Sequence, residues 1–217
     1  MSNKRLECLG ETVNMKACFG PDESVSRELG YNACITCVIP AFRQMAAENQ
    51  KLRTHAERDG LTALLNRRMF DNALQNKVKT GERFGILFID LEFFKVVNDR
   101  ELHVGGDEIL KKTASYLDEF FSKTLRREDL VARIGGDEFG VILNPSRESG
   151  VLDADAIQVI KDRLRDNFVD VPIVSEYNQR YGNIDSLAMH VGHAIWEPGM
   201  TATDMMTEAD PPKRQSA

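Results

Sequence analysis

The chain has no long hydrophobic run, no surplus of positive charge, a single tryptophan and only four cysteines, all within its first 37 residues. Each shortage removes a class of protein. The longest mostly apolar stretches, 33–42 and 84–91, fall far below the ~20 residues needed to cross a bilayer, so no membrane span is expected. The opening Met1-Ser2-Asn3-Lys4-Arg5-Leu6-Glu7 is not followed by an apolar stretch; it does not read as a secretory signal, and the cytoplasm is the expected compartment. A net charge of -6 supplies no overall basic field for DNA or RNA. It leaves room for a small anionic ligand held by local cations or metal ions. With Cys8, Cys18, Cys34 and Cys37 confined to the start, the main body folds without disulfides. What is present is a globular composition, 42% hydrophobic and 29% charged over 217 residues. That length makes one large domain, or one domain with an appendage, able to bury roughly 70% of the unfolded surface.

Residues 1–32 mix glycine, proline, asparagine and charge without a clear period and read as irregular, or as a small sensory or docking piece. Ile35, Val38, Phe42, Met45, Asn49, Leu52 and Ala56 then recur at alternating steps of three and four, a heptad seam with a polar Asn49 at one core position. Pro40 suits the first turn of that helix. The seam has two readings: a stalk pairing two copies of the chain, or an amphipathic helix packed on its own domain.

Beyond Asp59 the pattern alternates. Leu61, Leu64, Leu65, Phe70, Leu74 and Val78 trace a helical face, and Phe84 to Leu91 reads as a buried strand. Ile109, Leu110, Ala114, Leu117 and Phe121 give a second helix. Two strand-like runs between Val131 and Leu143 flank Gly135-Gly136, a hairpin whose glycines are expected to supply a positive φ. Ile157, Ile160, Leu164 and Phe168 make a third helix, and Leu187, Met189, Val191 and Ile195 alternate as a last strand. This order predicts an α+β fold, a mostly antiparallel sheet flanked by helices, over 57–217, preceded by a cysteine-containing segment and helical stalk over 1–56.

Acidic residues fall where strands end or turn: Asp90 and Glu92 after the Phe84 strand, Asp137 and Glu138 in the hairpin. If the strands are neighbours, these carboxylates meet at one sheet edge and repel unless a hard cation lies between them. Mg²⁺ takes one or two carboxylates plus substrate phosphates in this way. Alone, an Asp-Glu pair after two glycines reads first as a solvated turn, and only second as a site.

Arg133-Ile-Gly-Gly-Asp-Glu-Phe139 resembles the signature of the GGDEF family, the diguanylate cyclases that condense two GTP into cyclic di-GMP. Asp59-Gly-Leu-Thr-Ala-Leu-Leu-Asn-Arg-Arg68 is similar to the family's D-x-L-T-x-L-x-N-R-R, and Phe88-Ile-Asp-Leu-Glu-Phe-Phe-Lys95 to its metal strand. Asn98-Asp99, His103 and Gly106-Asp107 match its N-D-x-x-G-H-x-x-G-D run. The resemblance extends from about Asp59 to Asp210 and implies a nucleotidyl-cyclase-like palm. It implies Asp90, Asp137, the Leu91 carbonyl and Glu138 as ligands of Mg²⁺ or Mn²⁺, with Asp137 also the base for the ribose hydroxyl, beside Lys95 and Glu138 as catalytic groups. Asn98, His103 and Asp107 would bind guanine, whose N1–H and exocyclic amine suit a carboxylate acceptor. Gly135 and Gly136 would admit phosphate to the backbone. Arg126 and Asp129 resemble the family's R-x-x-D inhibitory site, where the product binds. One GTP per protomer implies a homodimer.

The sequence departs from the family pattern at four places. Glu92 stands for the usual second aspartate, Leu102 for a glycine, and His190-Val191-Gly192 for S-x-G. Pro211-Pro212 replaces the continuation of a helix that normally carries a phosphate-binding lysine, with Lys213 and Arg214 as substitutes after it. The leading expectation is therefore an Mg²⁺-dependent dimeric diguanylate cyclase with product inhibition; the alternative is a degenerate module that binds GTP or cyclic di-GMP. The cysteines keep three readings: a zinc site using Cys34-Ile-Thr-Cys37, a redox sensor, or reduced thiols. His190 and His193 fall on opposite faces of a strand and do not make a metal pair.

Overall fold

The computed structural model describes residues 5–8, 11–14, 44–48, 56–123, 129–145, 150, 152–181 and 186–210. The chain divides into two compact units, Met1–Ala56 and Glu57–Ala217. In the first, β1 (Arg5–Cys8) pairs antiparallel with β2 (Glu11–Asn14), from Arg5↔Asn14 to Cys8↔Glu11. The expectation of an irregular start is thus corrected. Leu6 and Cys8 alternate with charged residues, and only Leu9-Gly10 separates the strands, a hairpin signal hidden by the mixed composition. Residues 44–48 are helical. Of the heptad seam only Met45 and Ala56 fall among the described residues; Ile35, Val38, Phe42, Asn49 and Leu52 lie outside them, as do Cys18, Cys34 and Cys37.

The second unit is built on five strands in the order β3-β5-β6-β4-β7. These are β3 (Leu65–Asn66), β4 (Gly85–Glu92), β5 (Leu130–Arg133), β6 (Glu138–Leu143) and β7 (Ala188–Ile195). Only the short β3–β5 pair is parallel; β5–β6, β6–β4 and β4–β7 are antiparallel. The palm-like α+β architecture inferred from the sequence is present. Helices α1 (Arg67–Thr80) and α5 (Ala202–Ala209) cover one face of the sheet, where Phe70, Leu74 and Met205 pack on Ile86, Phe88 and Ile142. Helices α2 (Phe94–Lys123), α3 (Ala154–Phe168) and α4 (Pro172–Tyr181) cover the other, where Leu117, Leu164 and Val174 pack on Leu87, Ile89 and Leu91. Each of these large side chains, fully buried, contributes roughly 1.5–3 kcal/mol. Among the described residues, no helix is long and apolar enough to cross a membrane.

Local chemistry sets the helix limits. Asn66 caps α1 by accepting from the Met69 amide at 3.1 Å, which moves Leu61, Leu64 and Leu65 out of the helix expected there and into a turn and β3. Asp153 caps α3 through the Ala156 amide at 2.8 Å, and Thr201 and Asp204 form a capping box on α5. Helix α4 has no counterpart among the elements expected from the sequence, although Pro172 opens it and Val174 and Tyr177 mark its buried side.

Helix α2 departs most from expectation. The apolar period begins at Ile109, yet helical backbone starts at Phe94. A straight helix would separate residues 94 and 106 by about 18 Å. A Cβ at Gly106 would lie 3.2 Å from Phe94 Cζ, so the helical run folds back on itself between them. Gly106, having no side chain, leaves the space in which Phe94 and Asn98 close on it.

Candidate active site

The main unit opens with a turn held by Asp59. Its Oδ1 accepts from the Thr62 amide at 2.9 Å, the Thr62 hydroxyl at 2.7 Å and Arg133 Nη1 at 3.1 Å. Burial alone would raise this carboxyl, but the Thr62 and Arg133 donors outweigh it and hold Asp59 below its ordinary value. Arg133 also forks onto the Gly136 carbonyl, Nε at 3.1 Å and Nη2 at 2.7 Å. One guanidinium therefore joins the first turn of the domain to the tip of the β5–β6 loop.

That loop closes through Ile134 and Gly135 amides donating to the Glu138 carbonyl, at 2.9 and 3.2 Å. Neither Gly135 nor Gly136 has a positive φ, correcting the expected turn chemistry. Gly135 is needed for space: a Cβ there would collide with the Glu138 carboxyl. Gly136 has open space over it.

Between the loop and α2 lies a cavity of about 390 Å³ lined by Phe94, Lys95, Asn98, Asp107, Leu110, Arg133, Gly136 and Asp137. The fold-back of α2 creates it. In a straight helix nine residues between Asn98 and Asp107 would span about 13.5 Å and half a turn, leaving the two on opposite sides. Here Asn98 Oδ1 rests on Gly106, where a Cβ would collide with it. The cavity thus gathers two cations, two carboxylates and a carboxamide.

The remaining acidic residues lie on the sheet. Asp90 pairs in register with Glu138 on one side and His190 on the other, so three polar side chains form a row across β6, β4 and β7. Glu92, two residues on, accepts from His190 Nδ1 at 3.1 Å. The hairpin therefore parts its acidic pair, Asp137 lining the cavity and Glu138 joining the Asp90 row. Among the described residues no three His, Cys, Asp or Glu side chains gather closely enough to hold an ion alone. The donor set still fits Mg²⁺, which needs only one or two carboxylates beside water and phosphate. Asp90 and Glu138 are oxygen donors on adjacent strands, and Gly135 keeps a cradle open for the Glu138 carboxyl.

Other expected residues separate. The backbone of His103 and Leu102 belongs to α2, but their side chains lie outside the described residues, as do Arg126, Pro211, Pro212, Lys213 and Arg214. Asp129 is described, and its Oδ1 accepts from the Asn144 amide at 2.9 Å, tying the start of β5 to the end of β6. The sequence motif opens on Arg133 but assigns it no role; its position three residues before Gly136 is the signal that it reaches the loop tip. Nothing in the strand pattern joined His190 to Glu92, which lies 98 positions away.

Residues 56–215 match the family model described as diguanylate cyclase, GGDEF domain. The chain is 33% identical over 185 residues to the diguanylate cyclase TpbB of Pseudomonas aeruginosa, covering 83% of this chain and 39% of that protein. It is 28% identical over 192 residues to the cyclic di-GMP phosphodiesterase PdeB of Shewanella oneidensis, covering 87% of this chain and 21% of that one. The chain thus spans well under half the length of these curated relatives. Among solved structures, the coiled coil and GGDEF domain of DgcB from Caulobacter crescentus, in complex with cyclic di-GMP, superposes with a TM-score of 0.64 at 24% identity, over 82% of this chain and 90% of that one. With a family match over residues 56–215, a sheet of the same architecture and the Gly-Gly-Asp-Glu-Phe loop beside a polar cavity, the chain belongs to the GGDEF diguanylate cyclase family.

Proposed function

We propose that the protein is a diguanylate cyclase that joins two GTP molecules into cyclic di-GMP with release of two pyrophosphates. The observation that carries this reading is the cavity in which Lys95, Asn98, Asp107, Arg133 and Asp137 converge. In each half-reaction the ribose 3′-oxygen of one GTP attacks the α-phosphorus of the other, the bond to pyrophosphate breaks, and the hydroxyl proton passes to a base. Asp137 takes that proton, and Glu138 supports the acidic edge. Lys95 offers a compact ammonium to the phosphoryl oxygens as their charge develops. Asp107 and Asn98, with His103, read the guanine edge, whose paired donors adenine lacks. Asp90, the Leu91 carbonyl, Asp137 and Glu138 would hold Mg²⁺ or Mn²⁺. When bound, the cation screens the triphosphate charge so that an anionic site accepts an anionic substrate.

One nucleotide per cavity makes a homodimer the catalytic unit, and the Ile35-to-Ala56 seam is the segment proposed to pair two copies. Leu52→Asp is then expected to weaken dimerisation in sedimentation and to lower turnover. Product inhibition through Arg126 and Asp129 belongs to the same reading, supported by the resemblance of that pair to an R-x-x-D site.

A second reading is favoured by Pro211-Pro212, which follow α5 where a phosphate-binding helix would continue. On it the domain binds nucleotide and signals without chemistry. Incubation with GTP and Mg²⁺, followed by chromatography, separates the two. Cyclic di-GMP from the parent and none from Asp137→Ala establishes the cyclase. No product, with cyclic di-GMP binding lost in Arg126→Ala, establishes the receptor.

A further inference from the structure

Two of the sequence departures touch each other. Glu92 stands where the family has an aspartate and His190 where it has a serine, and in the folded chain His190 Nδ1 and Glu92 Oε1 are 3.1 Å apart. A carboxylate has no proton to give, so the imidazole Nδ1–H is the donor. The side chains are 31% and 23% exposed, shielded enough for the contact to hold a fixed geometry, unlike an ion pair in open water. The register shows why length matters. His190 lies opposite Asp90, and Glu92 lies opposite Ala188, so the bond runs diagonally between β4 and β7. Diagonal neighbours are about 7–8 Å apart at the backbone, a span that a glutamate reaches more readily than an aspartate.

The bond lies at a sensitive place. β4 ends at Glu92, and the next residue, Phe93, has a φ of +62°, a backbone conformation that a bulky side chain resists. The chain must turn sharply there, and the Leu91 carbonyl lies between Asp90 and the turn. β7 is the edge strand of the sheet, so β4 has this neighbour alone on that side.

We propose that His190 is a positioning residue for the metal strand: with Glu92 it forms one coupled pair that fixes Asp90 and the Leu91 carbonyl for cation binding. The pair also keeps the Glu92 carboxylate engaged toward β7, away from the Asp90–Glu138 edge. The longer acid and the imidazole are thus compensating features, each without value when the other reverts. This inference rests on the proposed cation site and not on the identity of the product.

The test titrates Mn²⁺, read by electron paramagnetic resonance, into the full chain with a non-hydrolysable GTP analogue. Glu92→Asp and His190→Ser are each expected to weaken Mn²⁺ binding on the order of tenfold. The double variant, which restores the family's own pair, is expected to bind better than either single one. Glu92→Gln keeps the reach and the acceptor oxygen and is expected to stay close to the parent. Thermal unfolding of all four variants separates a merely structural role, which would move the melting temperature and leave Mn²⁺ affinity alone. Parent-like affinity in both single variants, or losses that multiply in the double one, overturns the inference. A parent that binds Mn²⁺ with this coupling but makes no cyclic di-GMP overturns the cyclase reading and leaves the inference standing. A parent that binds no Mn²⁺ overturns both.

Discussion

Strand β4 has two faces that end differently. On one, Leu87, Ile89 and Leu91 stay buried to the last turn of the strand and feed the larger core under α2, α3 and α4. On the other, Ile86 and Phe88 are buried but Asp90 and Glu92 follow, and the face becomes a carboxylate row. Both patterns alternate with the same period, so one strand anchors the domain with one set of side chains and presents chemistry with the other. The two can change independently because neighbouring side chains in the strand point to opposite faces.

The sharpest test of this division compares adjacent residues. Ile89→Ala is expected to lose about 2–5 kcal/mol in urea unfolding, through lost burial and the cavity left behind. Asp90→Asn keeps the shape and is expected to unfold near the parent, within about 1 kcal/mol. Its cyclic di-GMP formation should fall at least ~100-fold, equivalent to about 2.7 kcal/mol. Equal destabilisation by both substitutions would break the comparison. Asp59→Ala should act on both counts, since it leaves Arg133 without its carboxylate at the cavity wall; a loss of about 1–3 kcal/mol is expected, with weaker nucleotide binding. Asp153→Ala, at the cap of α3 far from the loop in sequence, should cost about 1 kcal/mol with activity per folded molecule unchanged.

The smallest effect concerns a polar pair on the apolar side. Lys161, 9% exposed, approaches His193 Nδ1 at 3.2 Å, an ammonium donating to a neutral imidazole. Burial first, then Lys161, pushes His193 below its ordinary 6.5, with Glu208 opposing. Burial, with Arg165, likewise lowers Lys161, and Asp162 opposes. The unfolded chain therefore takes up the histidine proton before the folded one does, and stability declines as pH falls below about 6.5. Urea midpoints at pH 5 and pH 7.5 should differ less in His193→Gln than in the parent. The lowered Asp59 carboxyl has the same sign but acts only at pH values below the ordinary carboxylate range.

Much of this was legible in the sequence. The alternation of Phe84 to Leu91, the hairpin around Gly135-Gly136 and the periods at Ile157 and Leu187 gave real elements, because buried strands and amphipathic helices leave a fixed spacing. Helix α4 and the β1–β2 hairpin escaped, being too short for a period to stand out. The start of α1 was misplaced because Leu61, Leu64 and Leu65 are apolar for a turn and a strand, and the Asn66 cap outweighed the period.

The residue types of the site were determined by the sequence alone: which carboxylates, which lysine, which glycines, and the family they signal. Their grouping was decided only by the tertiary structure. Asn98 and Asp107 share a cavity because α2 folds back, and Asp137 and Glu138 part because adjacent residues leave a hairpin in opposite directions. His190 meets Glu92 because β4 and β7 pair in one register. Spacing along a chain fixes which face of an element a residue occupies; which elements touch depends on the packing of the whole core, and that is where the site acquires its geometry.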